Sequence, residues 1–213
     1  MGILNDEVKK QMGAILSQLQ SNVGIVFFGQ EIECPTCRDT HLFLEELKSL
    51  SPKLGLQSYG LVKDAARAAE LNVARVPAIL LLDKDGRDTR IKFYGFPGGY
   101  EINSFLAAIM EVSGRKEPLP APIMSRIAAI SKDVHIQVFV TLSCPYCPNA
   151  VMTAHRLALE NPRIRADMVE SSTFTPLAIK YDVSSVPKTV INETKELIGA
   201  QPIEQLLDAI ETL

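Results

Sequence analysis

The stretch Gly24-Ile25-Val26-Phe27-Phe28-Gly29 is followed closely by Cys34-Pro35-Thr36-Cys37, and the pattern returns as Ile136-Gln137-Val138-Phe139-Val140 followed by Cys144-Pro145-Tyr146-Cys147. A short apolar run of this kind reads as a buried strand. Each Cys-Pro-x-Cys is then followed by a Val-Pro pair, Val76-Pro77 and Val186-Pro187. From Cys34 to Pro77 is 43 residues, from Cys144 to Pro187 is again 43, and both anchors recur at an offset of 110. Anchors in register at a fixed period are the signature of internal duplication.

The flanking periodicities divide the chain in the same way. Asp6 to Leu19 has helical apolar spacing, and so does Cys37 to Leu50, where Leu42, Phe43, Leu47 and Leu50 precede the stop Ser51-Pro52. Leu54 to Tyr59 reads as a strand, and Asp64 to Leu71 as a short Ala-rich helix capped by Asp64. Pro77 opens the strand Ala78 to Leu82, Asp83-Lys84-Asp85-Gly86 is a hairpin turn, Thr89 to Tyr94 is a strand, and Tyr100 to Val112 closes with a helix. The segment from Ser113 to Pro122 has the Pro-rich polar composition of an exposed, stiff linker. Beyond it the order repeats, with helices at Ile123 to Ile130, Cys147 to Leu159, Pro176 to Tyr181 and Pro202 to Leu213. Strands are expected at Ile136 to Val140, Ile164 to Val169, Lys188 to Ile191 and Glu196 to Ile198. The second hairpin is shorter, because Gly95 to Gly199 is 104 residues. The expectation is an α/β chain of two tandem units, residues 1–117 and 118–213, each a central mixed sheet flanked by helices.

Disulfide exchange needs a thiolate, and an ordinary cysteine with a pKa of about 8.5 is mostly protonated at neutral pH. If Cys34 and Cys144 cap their helices, unpaired N–H groups and the positive end of the dipole stabilise the thiolate. Pro35 and Pro145 then take the first helical position, where a missing N–H costs nothing. The spacing of three residues brings Cys37 and Cys147 within reach to close a disulfide and release a bound substrate. Cys34 and Cys144 are thus the expected attacking residues, with Cys37 and Cys147 resolving.

Two Cys-x-x-Cys pairs also suit tetrahedral zinc. Ribbon-type zinc sites place their pairs roughly 15–20 residues apart. Here they are 110 apart, in separate repeats, and no metal is expected. Proline at a strand start is ordinarily trans; the shared spacing to the cysteines singles out Pro77 and Pro187 as part of each site.

Composition narrows the classes further. The chain is 46% apolar and 22% charged, with 14 basic against 15 acidic residues up to Glu117 and 8 against 10 thereafter. Near-neutral units of this kind give no electrostatic footprint for nucleic acid or anionic lipid. The opening Met1-Gly2-Ile3-Leu4-Asn5-Asp6-Glu7 lacks the basic start and apolar core of a secretory leader, and the longest apolar runs are too short to span a bilayer. A cytoplasmic protein is expected, a setting in which cysteine pairs are ordinarily catalytic or metal-binding.

The segments Leu142-Ser143-Cys144-Pro145-Tyr146-Cys147-Pro148, Tyr181-Asp182-Val183-Ser184-Ser185-Val186-Pro187-Lys188-Thr189-Val190 and Phe93-Tyr94-Gly95-Phe96-Pro97-Gly98-Gly99-Tyr100-Glu101 carry a wider likeness. Through them the chain closely resembles the glutaredoxin-like protein disulfide oxidoreductases of thermophilic archaea and bacteria, over nearly its whole length. The resemblance implies two thioredoxin folds, with Pro77 and Pro187 cis and facing the cysteines. It makes Val76 and Val186 backbone contacts for substrate. It also implies redox-active disulfides as the working groups without a further cofactor, protein dithiols and disulfides as substrates for oxidation, reduction or isomerisation, and a thioredoxin reductase-type flavoprotein as partner. Thioredoxins carry a buried Asp six residues before the first cysteine, where this chain has Phe28 and Val138, so that proton-shuttle device is not expected.

The two sites differ in their surroundings. Glu31 and Glu33 precede Cys34, whereas Thr141, Leu142 and Ser143 precede Cys144. Negative charge disfavours a thiolate, so Cys144 is expected to be the more acidic thiol. His41 and His155, four and eight residues after the resolving cysteines, are positioned as conceivable bases but read as helix-surface or packing residues. His135 at a strand start carries no signal. Arg38, which could favour the thiolate or attract acidic substrates, reads as an exposed surface charge. Competing functions are an electron relay from a flavoprotein to a peroxidase, as in the tandem thioredoxin-like region of alkyl hydroperoxide reductase flavoproteins, and a non-enzymatic zinc or scaffold module. This chain has no Gly-rich dinucleotide fingerprint, so a relay would draw on a separate reductase. Intact Cys-Pro-x-Cys pairs in both repeats speak against a scaffold.

Overall fold

A computed structural model describes residues 2–213. The first repeat runs α1 (Asp6–Leu16), β1 (Val23–Gly29), α2 (Cys37–Ser49), β2 (Leu54–Gly60), α3 (Ala65–Glu70), β3 (Ala78–Leu82), β4 (Asp88–Tyr94), a 3-10 turn (Gly99–Glu101) and α4 (Ile102–Val112). The second runs α5 (Ala121–Ala129), β5 (Val134–Val140), α6 (Cys147–Glu160), β6 (Ile164–Glu170), α7 (Thr175–Lys180), β7 (Lys188–Ile191), β8 (Lys195–Ile198) and α8 (Ile203–Glu211).

In each repeat the strand that leads into the cysteines is central. β1 pairs in parallel with β2 and antiparallel with β3, and β5 does the same with β6 and β7, giving the orders β2-β1-β3-β4 and β6-β5-β7-β8. These are the mixed sheets flanked by helices that the element order predicts. Ile25, Val26 and Phe28 on β1 and every residue of β3 are buried. A strand covered on both faces loses the usual alternation and reads as a continuous apolar run. Phe43, Leu44 and Leu47 of α2 complete the first core, each contributing about 1.5–3 kcal/mol by leaving water.

Contacts divide the chain into two compact units. One holds the chain up to Thr89 with Phe93–Phe96 and Ile109–Lys116; the other holds Arg90–Lys92, Pro97–Ala108 and Glu117–Leu213. The 3-10 turn and most of α4 therefore belong with the second pair of cysteines. No helix among the described residues is long and apolar enough to cross a membrane.

Several local expectations are corrected. Asp64 does not cap α3; its Oδ2 accepts from the Gly60 N–H at 2.7 Å and closes the turn after β2 instead. The helix expected to reach Leu19 ends at Leu16 because the chain tightens, with Leu19 N–H donating to the Leu16 carbonyl at 3.3 Å, which still delivers Leu19 to the core. The expected linker is shorter than its composition suggests. Ser113 is buried and its carbonyl takes the Ser21 hydroxyl at 2.8 Å, while Ala121 and Pro122 already belong to α5.

The repeats are not in uniform register. β2 and β6 are offset by 110 residues, but β1 and β5 are offset by 111, as their pairing shows: Val23 faces Leu54, and Val134 faces Ile164. The loop before Cys34 thus has four residues, Gln30 to Glu33, against three, Thr141 to Ser143, before Cys144. Glu33 absorbs the extra residue in the left-handed region, at φ 58°.

Candidate active site

Each Cys-Pro-x-Cys lies in the turn between the end of its central strand and the start of a helix. The helices begin at Cys37 and Cys147, with Thr36 and Tyr146 as their caps. Pro35 and Pro145 therefore precede the helix rather than open it, and Cys34 and Cys144 are not the caps. Proline suits such a turn because its ring fixes φ and it brings no N–H that would need a partner. The turn closes by a Cys37 N–H to Cys34 carbonyl bond of 3.2 Å. In the second repeat the Cys147 N–H donates instead to Cys144 Sγ at 3.2 Å. In the second repeat alone, the helix start thus offers a backbone donor to the first sulfur, from one position further on than the capping argument placed it.

The four sulfurs are paired within their own repeats. Cys34 and Cys37 form one disulfide and Cys144 and Cys147 the other, with Cα separations of 5.4 and 5.5 Å. Cys37 and Cys147 are buried, Cys34 is half-buried, and Cys144 keeps 8% of its surface exposed. In each pair the first cysteine is the more exposed of the two. Among the described residues no group of three or more His, Cys, Asp or Glu side chains is arranged to hold a metal ion.

The peptide bonds Val76-Pro77 and Val186-Pro187 are both cis. Cys144 Sγ lies 3.9 Å from the Val186 carbonyl oxygen, which puts the second proline turn beside its disulfide. The side chain of Lys188, not singled out from the sequence, ties the residue after that turn to the segment before it. Its buried ammonium donates to the carbonyls of Tyr181 at 2.6 Å and Asp182 at 3.2 Å and meets Glu196 at 2.8 Å. Its position directly after Pro187 was the available signal.

Around the first disulfide, Phe27, Arg38, His41, Tyr59 and Lys63 border a cleft of about 520 Å³ that reaches Cys34 and Cys37. Arg38 is exposed, as a surface charge should be, yet it edges this cleft. His41 stacks on Phe27 with centroids 5.4 Å apart and sits 3.5 Å from Glu45. Glu31 and Glu33 are exposed. His155 is a packing residue whose burial pushes its pKa down to about 4. His135 is paired, with Nε2 2.6 Å from Asp167.

Phe28 and Val138 are fully buried, so the thioredoxin acid position is apolar in both repeats. The register shift makes Phe139, not Val138, the partner of Phe28 in the fold, and Phe139 is buried too. A buried acid reaches the second unit from elsewhere. Glu101 is fully buried, and burial raises its pKa to about 7 although the Ser104 hydroxyl donates to its Oε2; its Oε1 has no partner among the described residues. Its neighbour Tyr100 donates its N–H to the Leu142 carbonyl at 2.9 Å, two residues before Cys144. Gly99, at φ +54°, permits the approach, since a Cβ there would collide with the Leu142 carbonyl. Gly98-Gly99-Tyr100-Glu101 was visible as a motif, but its placement against Leu142 was not.

Comparison with known proteins fits this geometry. A family model described as a thioredoxin domain matches residues 134–212. The alkyl hydroperoxide reductase protein AhpF of Staphylococcus aureus (strain NCTC 8325 / PS 47) is 26% identical over 209 residues, which is 98% of this chain and 38% of that protein. An NADH dehydrogenase of Bacillus subtilis is 24% identical, over 96% of this chain and 37% of that one. The chain thus spans less than two fifths of the length of these curated relatives. A protein disulfide oxidoreductase structure from Aeropyrum pernix superposes with a TM-score of 0.90 at 29% identity, covering 99% of this chain and 94% of that one. The structure of AhpF from Enterococcus faecalis gives 0.90 at 29%, covering 97% and 99%.

Proposed function

We propose that this chain, a thioredoxin-fold disulfide oxidoreductase, exchanges disulfides with protein substrates in the cytoplasm through Cys34 and Cys144 as the attacking residues of two separate sites. The observation that carries the reading is a geometry that occurs twice. A closed Cys-Pro-x-Cys pair sits at a helix start, its first cysteine more exposed than its buried second, in a unit that also carries a cis Val-Pro bond.

In the oxidising direction a substrate thiolate attacks Cys34 or Cys144. The intramolecular disulfide breaks, and Cys37 or Cys147 leaves as a thiolate and takes up a proton. A second substrate thiolate then attacks the substrate sulfur of the mixed disulfide, and the first cysteine departs as a thiolate. Two electrons have passed from substrate to protein; the reductive direction is the reverse. Backbone N–H groups stabilise the sulfur charge, Cys147 N–H on Cys144 at 3.2 Å and Gln30 N–H on Cys37 at 3.4 Å. Val76 and Val186 offer backbone to an extended substrate strand. Glu101, with a pKa of about 7, suits the task of holding and releasing a proton beside the loop that carries Cys144.

A thioredoxin reductase-type flavoprotein is the proposed partner that returns the pairs to the dithiol state. A second reading has support of its own: likeness to AhpF over nearly the whole chain fits a relay of electrons from a flavoprotein toward a peroxidase. Insulin reduction and refolding of scrambled ribonuclease test the first reading, and peroxide turnover with an added flavoprotein reductase and peroxidase tests the second. Full activity of Cys34→Ser/Cys144→Ser in these assays would remove the assignment.

A further inference from the structure

The extra residue before Cys34 has opened a surface that the second repeat lacks. With Glu33 in the left-handed region, Ile32 is turned outward and stands 78% exposed, and Val62, in the turn after β2, is 80% exposed. The two line a cleft of about 480 Å³ that shares Gln30, Glu31, Gly60 and Lys63 with the cleft on Cys34 and Cys37. The clefts adjoin at these four shared residues, which sets two bare aliphatic side chains beside the cleft on the redox disulfide; together they form the trough. At the corresponding places the second repeat has Leu142, half-buried and bonded through its carbonyl to Tyr100, and the polar Ser172. That loop is already covered; the first is open.

The chemistry of the trough defines its occupant. The disulfide at one end requires a sulfur, and Ile32 and Val62 require apolar side chains near that sulfur. Folded proteins bury most of their cysteines and large apolar side chains, so an unfolded chain is the one that offers both together most freely. Arg38 and Lys63 are balanced by Glu31 and Glu33, so charge selects for no particular sequence. We infer that this trough binds a cysteine-bearing stretch of unfolded polypeptide with apolar residues beside its cysteine, making Cys34–Cys37 the site that oxidises non-native chains. A client thiolate attacks Cys34 Sγ and Cys37 leaves as a thiolate. A second client thiolate displaces Cys34, so the client dithiol becomes a disulfide and the Cys34–Cys37 disulfide a dithiol.

The inference rests on the reading of Cys34–Cys37 as an exchanging pair, and the test separates the two. In the full chain carrying Cys144→Ser and Cys147→Ser, the oxidised first pair is mixed under stopped flow with dithiothreitol, with an unstructured dithiol peptide bearing Leu and Val beside its cysteines, and with the same peptide bearing Ser and Gly there. Ile32→Ser/Val62→Ser should slow the apolar peptide about tenfold, equivalent to ~1.4 kcal/mol, and leave dithiothreitol and the polar peptide within about twofold. Ile32→Leu/Val62→Ile should keep the rate of the parent. Equal slowing of all three reductants, or no slowing of the apolar peptide, overturns the trough. If the parent oxidises none of the three, the exchange reading falls with it; if it oxidises both peptides equally fast, only the trough falls.

Discussion

Replacing Glu101 by Gln should change how stability depends on pH, and the size and sign follow from burial. Ser104 donates to Glu101 Oε2, but desolvation dominates and raises its pKa from 4.5 to about 7. A carboxyl moved this far corresponds to ~3 kcal/mol that the folded state holds below pH 4.5 and loses as pH rises through 7. His155 works in the opposite sense, lowered from 6.5 to about 4 by burial against the pull of Asp167. It contributes ~3 kcal/mol above pH 6.5 that is lost as pH falls through 4. In the parent the two oppose each other across the same window. Glu101→Gln should therefore match the parent near pH 4 and exceed it by up to ~3 kcal/mol near pH 8, leaving a protein that weakens on acidification as His155 takes up its proton. Urea unfolding at stepped pH, followed by circular dichroism since the chain has no tryptophan, reads this directly. Parallel curves for parent and variant between about pH 4 and 8 would refute the burial argument.

Gly99→Ala should destabilise by roughly 2–5 kcal/mol through its left-handed φ and collision with the Leu142 carbonyl. Gly13→Ala on α1, where a Cβ meets nothing among the described residues within 4 Å, should instead stabilise by about 0.5–1 kcal/mol; denaturant midpoints compare the two. Lys188→Met leaves the carbonyls of Tyr181 and Asp182 without their donor and should cost about 2–4 kcal/mol. It should also slow alkylation and exchange at Cys144 while leaving Cys34 unchanged in single-site variants. Alkylation rate against pH in variants retaining one attacking cysteine should give Cys144 the lower apparent pKa, because the Cys147 N–H meets its sulfur at 3.2 Å while Glu31 and Glu33 precede Cys34; the reverse order would defeat that ranking.

Much of this was legible in the chain because the information is local or repeated. Strand β3 is a run of five apolar residues after a proline, α2 has one apolar face, and the 43-residue interval between cysteine and proline occurs twice. The cysteine pairing within each motif follows from a separation of three residues, which no distant folding can undo. Where propensity competed with a hydrogen bond, the reading failed. Asp64 is a good cap by type, yet its side chain takes the Gly60 N–H instead.

The sequence by itself determined the duplication, the order of elements, the two redox pairs and the apolar residue at the thioredoxin acid position, Phe28 in the first repeat, since spacing and residue type express them along the chain. That Phe139 rather than Val138 is its counterpart came from the strand register. Tertiary structure alone decided what faces each pair. It brought Tyr100, with Glu101 next to it in the chain, onto the loop of Cys144 from more than 40 residues away, and tied Lys188, directly after Pro187, to the carbonyls of Tyr181 and Asp182. It also converted one additional residue before Cys34 into an open apolar trough. Such placements depend on how separate segments pack, and packing leaves no periodicity for a sequence to display.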